Sequence, residues 1–135
     1  MIFEALEERR KAVGTLSLAL VDPDAKNDHR LLFMIENINK SSFDAILVGG
    51  SKITDNHFEK RLKKIKENTN LPLILFPGDS SQISKYADAI LFTSLLNSKN
   101  PKYLVEEQVK ASRRIYSYNL ETIPTGYLLF STDKK

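Results

Sequence analysis

Five short apolar runs recur along this chain, and they narrow its possible folds more than any other property. Each run is almost unbroken and too short for an independent helix, which predicts a strand buried on both faces of a sheet. Segments with apolar residues at helical spacing separate the runs, so the sequence predicts a parallel α/β sheet with right-handed crossovers. The predicted strands are Thr15–Val21, Phe43–Val48, Leu71–Phe76, Asp88–Thr93 and Tyr127–Phe130.

Two architectures satisfy this alternation of strands and helices. One is an open doubly wound sheet, and the other is a (β/α)8 TIM barrel, of which residues 1–135 would form a single domain holding strands one to five. In the fourth predicted helix, Asp79 and Gln82 resemble a capping box. The predicted helices are Phe3–Val13, Asn27–Lys40, a helix opening at Thr54-Asp55-Asn56, a short helix from Asp79 to about Tyr86, and Pro101 to about Tyr118.

Composition and motifs exclude several classes of function. The chain has a net charge of +3 and no cysteine, which excludes disulfides and thiolate metal sites and is typical of a cytoplasmic protein. The basic residues between Lys60 and Lys66 lie opposite an apolar stripe of Phe58, Leu62 and Ile65, so we predict a solvated helix face rather than a nucleic-acid surface. No apolar run approaches the ~20 residues of a membrane span. GxSxG and GxGxxG are both absent, which argues against a serine hydrolase and a dinucleotide-binding enzyme.

Polar residues and glycines follow the predicted strands, at the edge where parallel α/β sheets bind ligands. The second strand ends in Gly49, Gly50 and Ser51, whose backbone amides and lack of bulk suit a phosphate or diphosphate. The same stretch also fits a simple tight turn, and this alternative stays open. The other polar or turn residues after strands are Asp24, Pro77, Gly78, Asp79, Thr93, Ser94, Asn97 and Ser131 to Asp133.

A carboxylate stands at the end of the first strand. Pro23 stops the sheet ladder there and leaves Asp22 at the strand tip. A carboxylate beside a serine hydroxyl and backbone amides suits a magnesium-bound diphosphate, because Mg²⁺ takes hard oxygen ligands and keeps several waters. Asp22 and Ser51 are therefore candidate Mg²⁺ ligands, although the Asp22-Pro23-Asp24 segment is also consistent with an ordinary turn.

Five segments of the chain stand in the order and spacing of one enzyme family. They are VDPD at Val21–Asp24, ILVGGS at Ile46–Ser51, PLILFPG at Pro72–Gly78, AILFTSLLNSKNP at Ala89–Pro101 and ETIPTGYLL at Glu121–Leu129. Together they resemble the geranylgeranylglyceryl phosphate synthase family, including its bacterial heptaprenylglyceryl phosphate synthase relatives. The resemblance implies a magnesium-dependent prenyltransferase on a (β/α)8 barrel, which joins C1 of a prenyl diphosphate to the 3-hydroxyl of sn-glycerol 1-phosphate and so makes an ether-lipid precursor.

The resemblance also implies roles for individual residues of this chain. Asp22 falls on the family's magnesium-binding aspartate and Ser51 on its hydroxyl ligand, while Gly49 and Gly50 would line the approach of the diphosphate. The residues that resemble the family's DPDK segment contain an extra alanine, Ala25.

The resemblance further implies a groove for the prenyl tail. This groove would pass strands two to four and the start of the last helix, where Tyr103 and Leu104 would limit its depth. One branch of the family has a lysine at the position of Leu20, so the chain resembles the other branch more closely. The family's glycerol-phosphate site lies on loops after strands six to eight, so no catalytic residue is assigned here.

The resemblance therefore implies an enzyme of which this chain carries the N-terminal part. A homo-oligomer or a complementing C-terminal barrel fragment would cover the strand edges and apolar inner face that such a part exposes. The alternative is a non-catalytic half-barrel that self-associates or binds phosphate or a partner chain. A flavodoxin-like receiver or flavin binder is a third alternative, but a receiver needs an acidic cluster that Asp22 and Asp24 supply only in part.

Overall fold

The computed structural model describes residues 1–130 of the chain, so the polar group predicted at Ser131 to Asp133 lies outside the described residues. The strands are β1 (Leu18–Val21), β2 (Ala45–Val48), β3 (Leu73–Leu75), β4 (Ala89–Leu95) and β5 (Glu121–Tyr127). The helices are α1 (Ile2–Val13), α2 (Leu31–Lys40), α3 (Phe58–Lys66) and α4 (Glu107–Ser117), with a 3-10 turn at Ala25–Asn27 and a π-helical turn at Lys102–Glu106 that leads into α4.

All five strands are parallel, and they lie side by side in chain order, β1-β2-β3-β4-β5. A doubly wound sheet reverses its strand order where the chain crosses to the other face. Because the order here never reverses, successive right-handed crossovers place their connections on one face, as in a (β/α)8 barrel. The fold is therefore that of barrel strands one to five, and the doubly wound alternative is excluded.

The outer face of the sheet forms the main core. Alternate strand residues such as Ile46, Val48 and Leu75 pack there against Ile35 of α2 and Leu62 of α3. All five side chains are almost completely inaccessible to solvent. This burial of apolar surface on one face of each helix is the main force that holds the helical layer to the sheet.

Helix α1 covers the amino end of the opposite, inner face. Its Ile2 and Leu6 pack against a second apolar cluster formed by Ala45, Ile74, Ala89 and Ile123. The Glu121 carboxylate at the start of β5 accepts the backbone N–H groups of Ile2 and Phe3, at 2.5 and 2.9 Å. A carboxylate at a helix N-terminus satisfies otherwise unpaired amides and opposes the helix dipole. The carboxyl end of the same face is open among the described residues, and Leu20 is 60% exposed there.

Strand β5 differs from its prediction. It runs over Glu121–Tyr127 instead of Tyr127–Phe130, so it includes Pro124 and Gly126, residue types that more often mark a turn. Among the described residues, β5 pairs only with β4. A proline is tolerated on an edge strand because its missing N–H is not needed for pairing on the open side.

The short helix predicted from Asp79 to Tyr86 is also wrong, because the β3–β4 loop (residues 76–88) contains no helix. The Asp79 carboxylate accepts the backbone N–H and the hydroxyl of Ser81, which forms an Asx turn in place of a helix cap. Ile83 from this loop packs into the outer core instead. Helices α2 and α3 begin later than predicted, at Leu31 and Phe58.

Candidate functional site

The parallel register brings the predicted ligand residues to one edge of the sheet. Val21 pairs with Val48, so Asp22 and Gly49 both follow the carboxyl ends of neighbouring strands. Gly50 and Ser51 continue the chain from this point into the β2–α3 loop (residues 49–57). The edge on which α/β sheets bind ligands thus carries one carboxylate, one hydroxyl and two glycines.

Both glycines are required by close packing between the strand ends. A Cβ atom on Gly49 would overlap the carbonyl oxygen of Phe76, and one on Gly50 would lie 2.6 Å from Asp22 Oδ1. The amide of Gly49 donates to the carbonyl of Val21 at 3.1 Å, and that of Gly50 donates to the side chain of Gln82 at 3.2 Å. In contrast to our expectation, neither glycine amide is available to an anion.

Asp22 has one carboxylate oxygen in use and one without a partner. Its Oδ2 lies 2.8 Å from Nζ of Lys26, whereas Oδ1 is buried and receives no hydrogen bond from the described residues. A buried oxygen of this kind is costly unless a ligand or cation satisfies it. Asp22 Oδ1, beside Gly50, is therefore the strongest candidate for a ligand atom at this edge of the sheet.

The residues present fit a magnesium ion, although residues 1–130 contain no group of three His, Cys, Asp or Glu side chains placed to hold a metal. Protein-bound Mg²⁺ typically takes one or two carboxylates and completes its shell with waters and substrate phosphates. Asp22 supplies one carboxylate, and the exposed side chain of Ser51 supplies a hydroxyl on the neighbouring strand end. Both Asp22 and Ser51 remain predictions as ligands.

Asp24 has a different role from Asp22. Its carboxylate is buried and accepts the amide of Lys26 together with the amide and hydroxyl of Thr54, at 2.9 to 3.2 Å. These hydrogen bonds, that from the Lys26 amide first, lower the pKa of Asp24. Asp24 therefore joins the β1–α2 loop (residues 22–30) to the β2–α3 loop.

Arg61 joins the same two loops. Its guanidinium donates to both carboxylate oxygens of Asp28 and to both of Asp55, at 2.5 to 2.7 Å. The side chain is only 4% exposed, so the prediction of a solvated basic face is wrong for Arg61. Its hydrogen bonds lower the pKa of both aspartates.

A concave space of about 500 Å³ lies beside the strand ends on the open part of the inner face. Its polar side is formed by Gly49, Gly50 and Ser51. Its other side is apolar, and the rings of Phe76 and Tyr127 meet there edge to face, 6.1 Å apart. The remaining lining residues are Leu20, Pro77, Gly78, Leu95, Tyr103 and Leu129.

A second, much smaller space of about 40 Å³ lies between β4 and α4. Tyr103 lines this space as well as the larger one, as do Pro77, Gly78 and Tyr127, so it lies where the two spaces adjoin. Leu104 lines neither of the two spaces, and its carbonyl accepts the hydroxyl of Ser94 instead. Of the two residues expected to limit the groove, only Tyr103 has a suitable position.

Glu107 of α4 holds the β3–β4 loop through Ser80. Hydrogen bonds from the side chain and backbone of Ser80 lower the pKa of Glu107 to about 2; the Ser80 amide lies 2.7 Å from Oε2. A lowered carboxyl pKa contributes stability that is present above the unfolded pKa and is lost as the pH falls toward the folded value.

We therefore expect Glu107→Gln to lower the free energy of unfolding at pH 7 by about 1.5 kcal/mol, as for other hydrogen bonds to charged groups. The difference from wild type should shrink between pH 4.5 and pH 2. Urea unfolding at a series of pH values measures this difference. A difference that stays constant down to pH 2 would contradict the role given to the charge.

Sequence reasoning missed Arg61, Glu107 and Gln82 as residues that hold this edge of the sheet together. For Arg61 a signal was present, because it lies on the same helical row as the buried residues Phe58, Leu62 and Ile65. No comparable pattern marks Gln82 or Glu107, whose partners lie 27 to 32 residues away.

Three comparisons with known proteins bear on this site. Residues 6–135 match the model of the PcrB family. The geranylgeranylglyceryl phosphate synthase of Flavobacterium johnsoniae is 42% identical over 131 residues, which are 97% of this chain and 54% of that protein. The structure of (S)-3-O-geranylgeranylglyceryl phosphate synthase from Thermoplasma acidophilum, in complex with sn-glycerol-1-phosphate, superposes with a TM-score of 0.83 at 38% identity, covering 92% of this chain and 51% of that one.

This chain thus spans about half the length of the relatives that it matches. None of the helices in residues 1–130 is both long and apolar enough to cross a membrane.

Proposed function

The chain belongs to the PcrB family, and from this premise we propose that it carries the prenyl diphosphate half of a geranylgeranylglyceryl phosphate synthase. The full reaction would transfer a prenyl group from its diphosphate to sn-glycerol 1-phosphate. The observation that carries the proposal is the buried, unpartnered Oδ1 of Asp22, which lies beside Gly50. Gly50 lines the polar side of a space whose other side is apolar. A prenyl diphosphate likewise has a charged head and a long apolar tail, which match the polar and apolar sides of this space.

Asp22 and Ser51 would hold the magnesium ion, with Ser51 also beside the diphosphate. Bound Mg²⁺ neutralises charge on the leaving diphosphate. In the transfer, the bond between C1 and the diphosphate oxygen breaks and its electrons leave with the diphosphate. A new bond forms from C1 to the acceptor's 3-hydroxyl oxygen, which releases its proton. Phe76 and Tyr127 would keep water from the allylic carbon.

By the family resemblance, the acceptor would bind on loops after strands six to eight. We therefore assign no acceptor residue within the described part of the chain. Self-association, or pairing with a chain that carries these strands, stays a prediction.

The test of this function is transfer of a geranylgeranyl group to radiolabelled sn-glycerol 1-phosphate. We expect magnesium-dependent ether product when the chain is supplied with strands six to eight, either on a second chain or in a continuous one, and no product when EDTA is added. If no product forms while the chain is folded and still binds pyrophosphate, the non-catalytic half-barrel is the better account. If the folded chain binds neither pyrophosphate nor prenyl diphosphate, the proposed function fails, and of the half-barrel account only self-association or binding of a partner chain is left.

The position of Tyr103 leads to a prediction about the length of the prenyl chain. Tyr103→Ala removes a side chain that lines both spaces, which should enlarge the groove and so favour a longer prenyl diphosphate. Since each buried methylene is worth ~1 kcal/mol or more, the ratio of affinities for longer and shorter chains should rise about tenfold. Competition binding with geranylgeranyl and longer diphosphates measures this ratio. Tyr103→Phe keeps the ring and should leave this ratio of affinities unchanged. An equal change of the ratio in both variants would contradict the prediction.

A further inference from the structure

Gln82 makes an unusual pair of contacts for a loop side chain. It is 1% exposed; its Nε2 donates to the carbonyl of Gly50 at 2.7 Å, and its Oε1 accepts the amide of Gly50 at 3.2 Å. The side-chain amide thus pairs with both polar atoms of one residue, as a neighbouring strand would do. A solvent-excluded amide with both ends satisfied holds its partner in one position.

The residue that Gln82 holds is in contact with the candidate metal ligand. The Cα atom of Gly50 lies so close to Asp22 that an added Cβ would be 2.6 Å from Oδ1. Gly78 of the β3–β4 loop packs against the carbonyl of Gly50 from the side of Gln82. Movement of Gly50 would therefore change the surroundings of the Asp22 carboxylate directly.

Gln82 also sets the direction of the next amide. In a trans peptide the C=O and N–H groups point in opposite directions, so a Gly50 carbonyl directed at Gln82 turns the Ser51 N–H away from it. Within residues 1–130 the Ser51 amide donates no hydrogen bond. Ser51 lines the large space, whereas Gln82 does not.

We infer that Gln82 is a positioning residue for the diphosphate site, because it fixes the Gly50–Ser51 peptide and so presents the amide and hydroxyl of Ser51 to the diphosphate. This inference rests on the proposed function, but it concerns the binding of the diphosphate and not its transfer. Gln82 itself touches neither the metal nor the substrate. The opposite view is that Gln82 only stabilises the fold.

The β3–β4 loop also contains a matched control residue, which tests whether Gln82 only stabilises the fold. Ser84 is also buried, and its hydroxyl donates to Oε2 of Glu59 at 2.7 Å. It lies two residues from Gln82 but makes no hydrogen bond to Gly50. Its hydroxyl also accepts the amide of Tyr86 at 3.2 Å. Ser84→Ala therefore removes two hydrogen bonds from the same loop and leaves the Gly50 contacts intact.

The experiment measures binding of inorganic pyrophosphate to the whole chain in the presence of Mn²⁺, by calorimetry and by the electron paramagnetic resonance spectrum of Mn²⁺. Gln82→Met keeps the length of the side chain and removes both hydrogen bonds, and Gln82→Glu places a carboxylate against the Gly50 carbonyl. We expect about a tenfold loss of pyrophosphate affinity in each. Ser84→Ala should stay within about twofold of wild type, as judged at equal folded fraction.

Two outcomes would overturn the inference alone: wild-type affinity in either folded Gln82 variant, or an equal loss in Ser84→Ala. If the wild-type chain fails to bind pyrophosphate with Mn²⁺, the proposed function falls together with the inference. Should neither Gln82 variant fold, the wild-type chain labelled with ¹⁵N provides the test. Added Mg²⁺ and pyrophosphate should then shift the Ser51 amide resonance, and an unmoved resonance would overturn the inference.

Discussion

Asp22→Asn should weaken magnesium-dependent binding of pyrophosphate by about 100-fold, which corresponds to about 3 kcal/mol. The substitution keeps the shape of the side chain but removes the negative charge and one hard oxygen ligand. It affects the atom that the fold leaves buried and without a donor. Calorimetric titration of pyrophosphate, with and without Mg²⁺, measures the effect.

Asp44→Asn provides the matched control for this prediction. Asp44 also adjoins a strand, but at the amino end of β2, where it accepts the amide of Ser17 and the side chain of Arg9. Asp44→Asn should therefore change stability and leave pyrophosphate binding as in wild type. Full binding by a folded Asp22→Asn variant would contradict the site.

Arg61→Met should lower the free energy of unfolding by about 2–3 kcal/mol, because it removes hydrogen bonds to two charged groups, of which Asp28 remains half-exposed to solvent. The variant would leave Asp28 and Asp55 facing each other without the cation between them. Since Arg61 lowers the pKa of both aspartates, its stabilising effect is present at neutral pH. This effect should decline as the pH falls below about 4 and the carboxylates gain protons. Urea unfolding at pH 7 and at pH 3 measures both effects.

Two further variants separate the geometry of Arg61 from its charge. Arg61→Lys keeps the charge but cannot reach both carboxylates with a planar fork, so we expect an intermediate loss of stability. Lys64→Met removes an exposed cation from the same helix and should change the free energy of unfolding by no more than about 0.5 kcal/mol. If Arg61→Met were no less stable than Lys64→Met, the loop-joining role of Arg61 would be wrong.

The elements of the fold were predictable because burial on both faces leaves a local pattern. Val48 and Leu75 belong to apolar runs that can be recognised without knowledge of their neighbours. The order of the strands was not predictable in this way, because both architectures share the same local pattern. It follows from long-range pairings such as that of Ile46 with Leu73 and that of Ile74 with Ala89, or from the family resemblance. Proline and glycine misled the prediction of β5, since Pro124 marks a turn in most settings and is tolerated here at an edge.

The candidate site was predictable in its position and only partly in its chemistry. Residues such as Asp22 and Ser51 follow strands, and parallel pairing places all strand ends together. The hydrogen-bond partners of these residues could not be predicted, because a sequence does not show which polar groups come within hydrogen-bonding distance. The pairing of the Gly50 amide with Gln82, 32 residues away, removed one anion-binding group that the glycines had suggested. Gln82 itself had a local interpretation as a helix cap, which the long-range contact replaced.

The contact between helix α1 and Glu121 has a consequence for folding during translation. Ile2 and its carboxylate partner are 119 residues apart, so the first helix cannot reach its final place until nearly all of the described chain has been translated. Until then, the apolar side chains of α1 remain exposed to solvent, because the strands that they will cover have not yet assembled. Helix α1 is thus synthesised well before the residue that accepts its N-terminal amides.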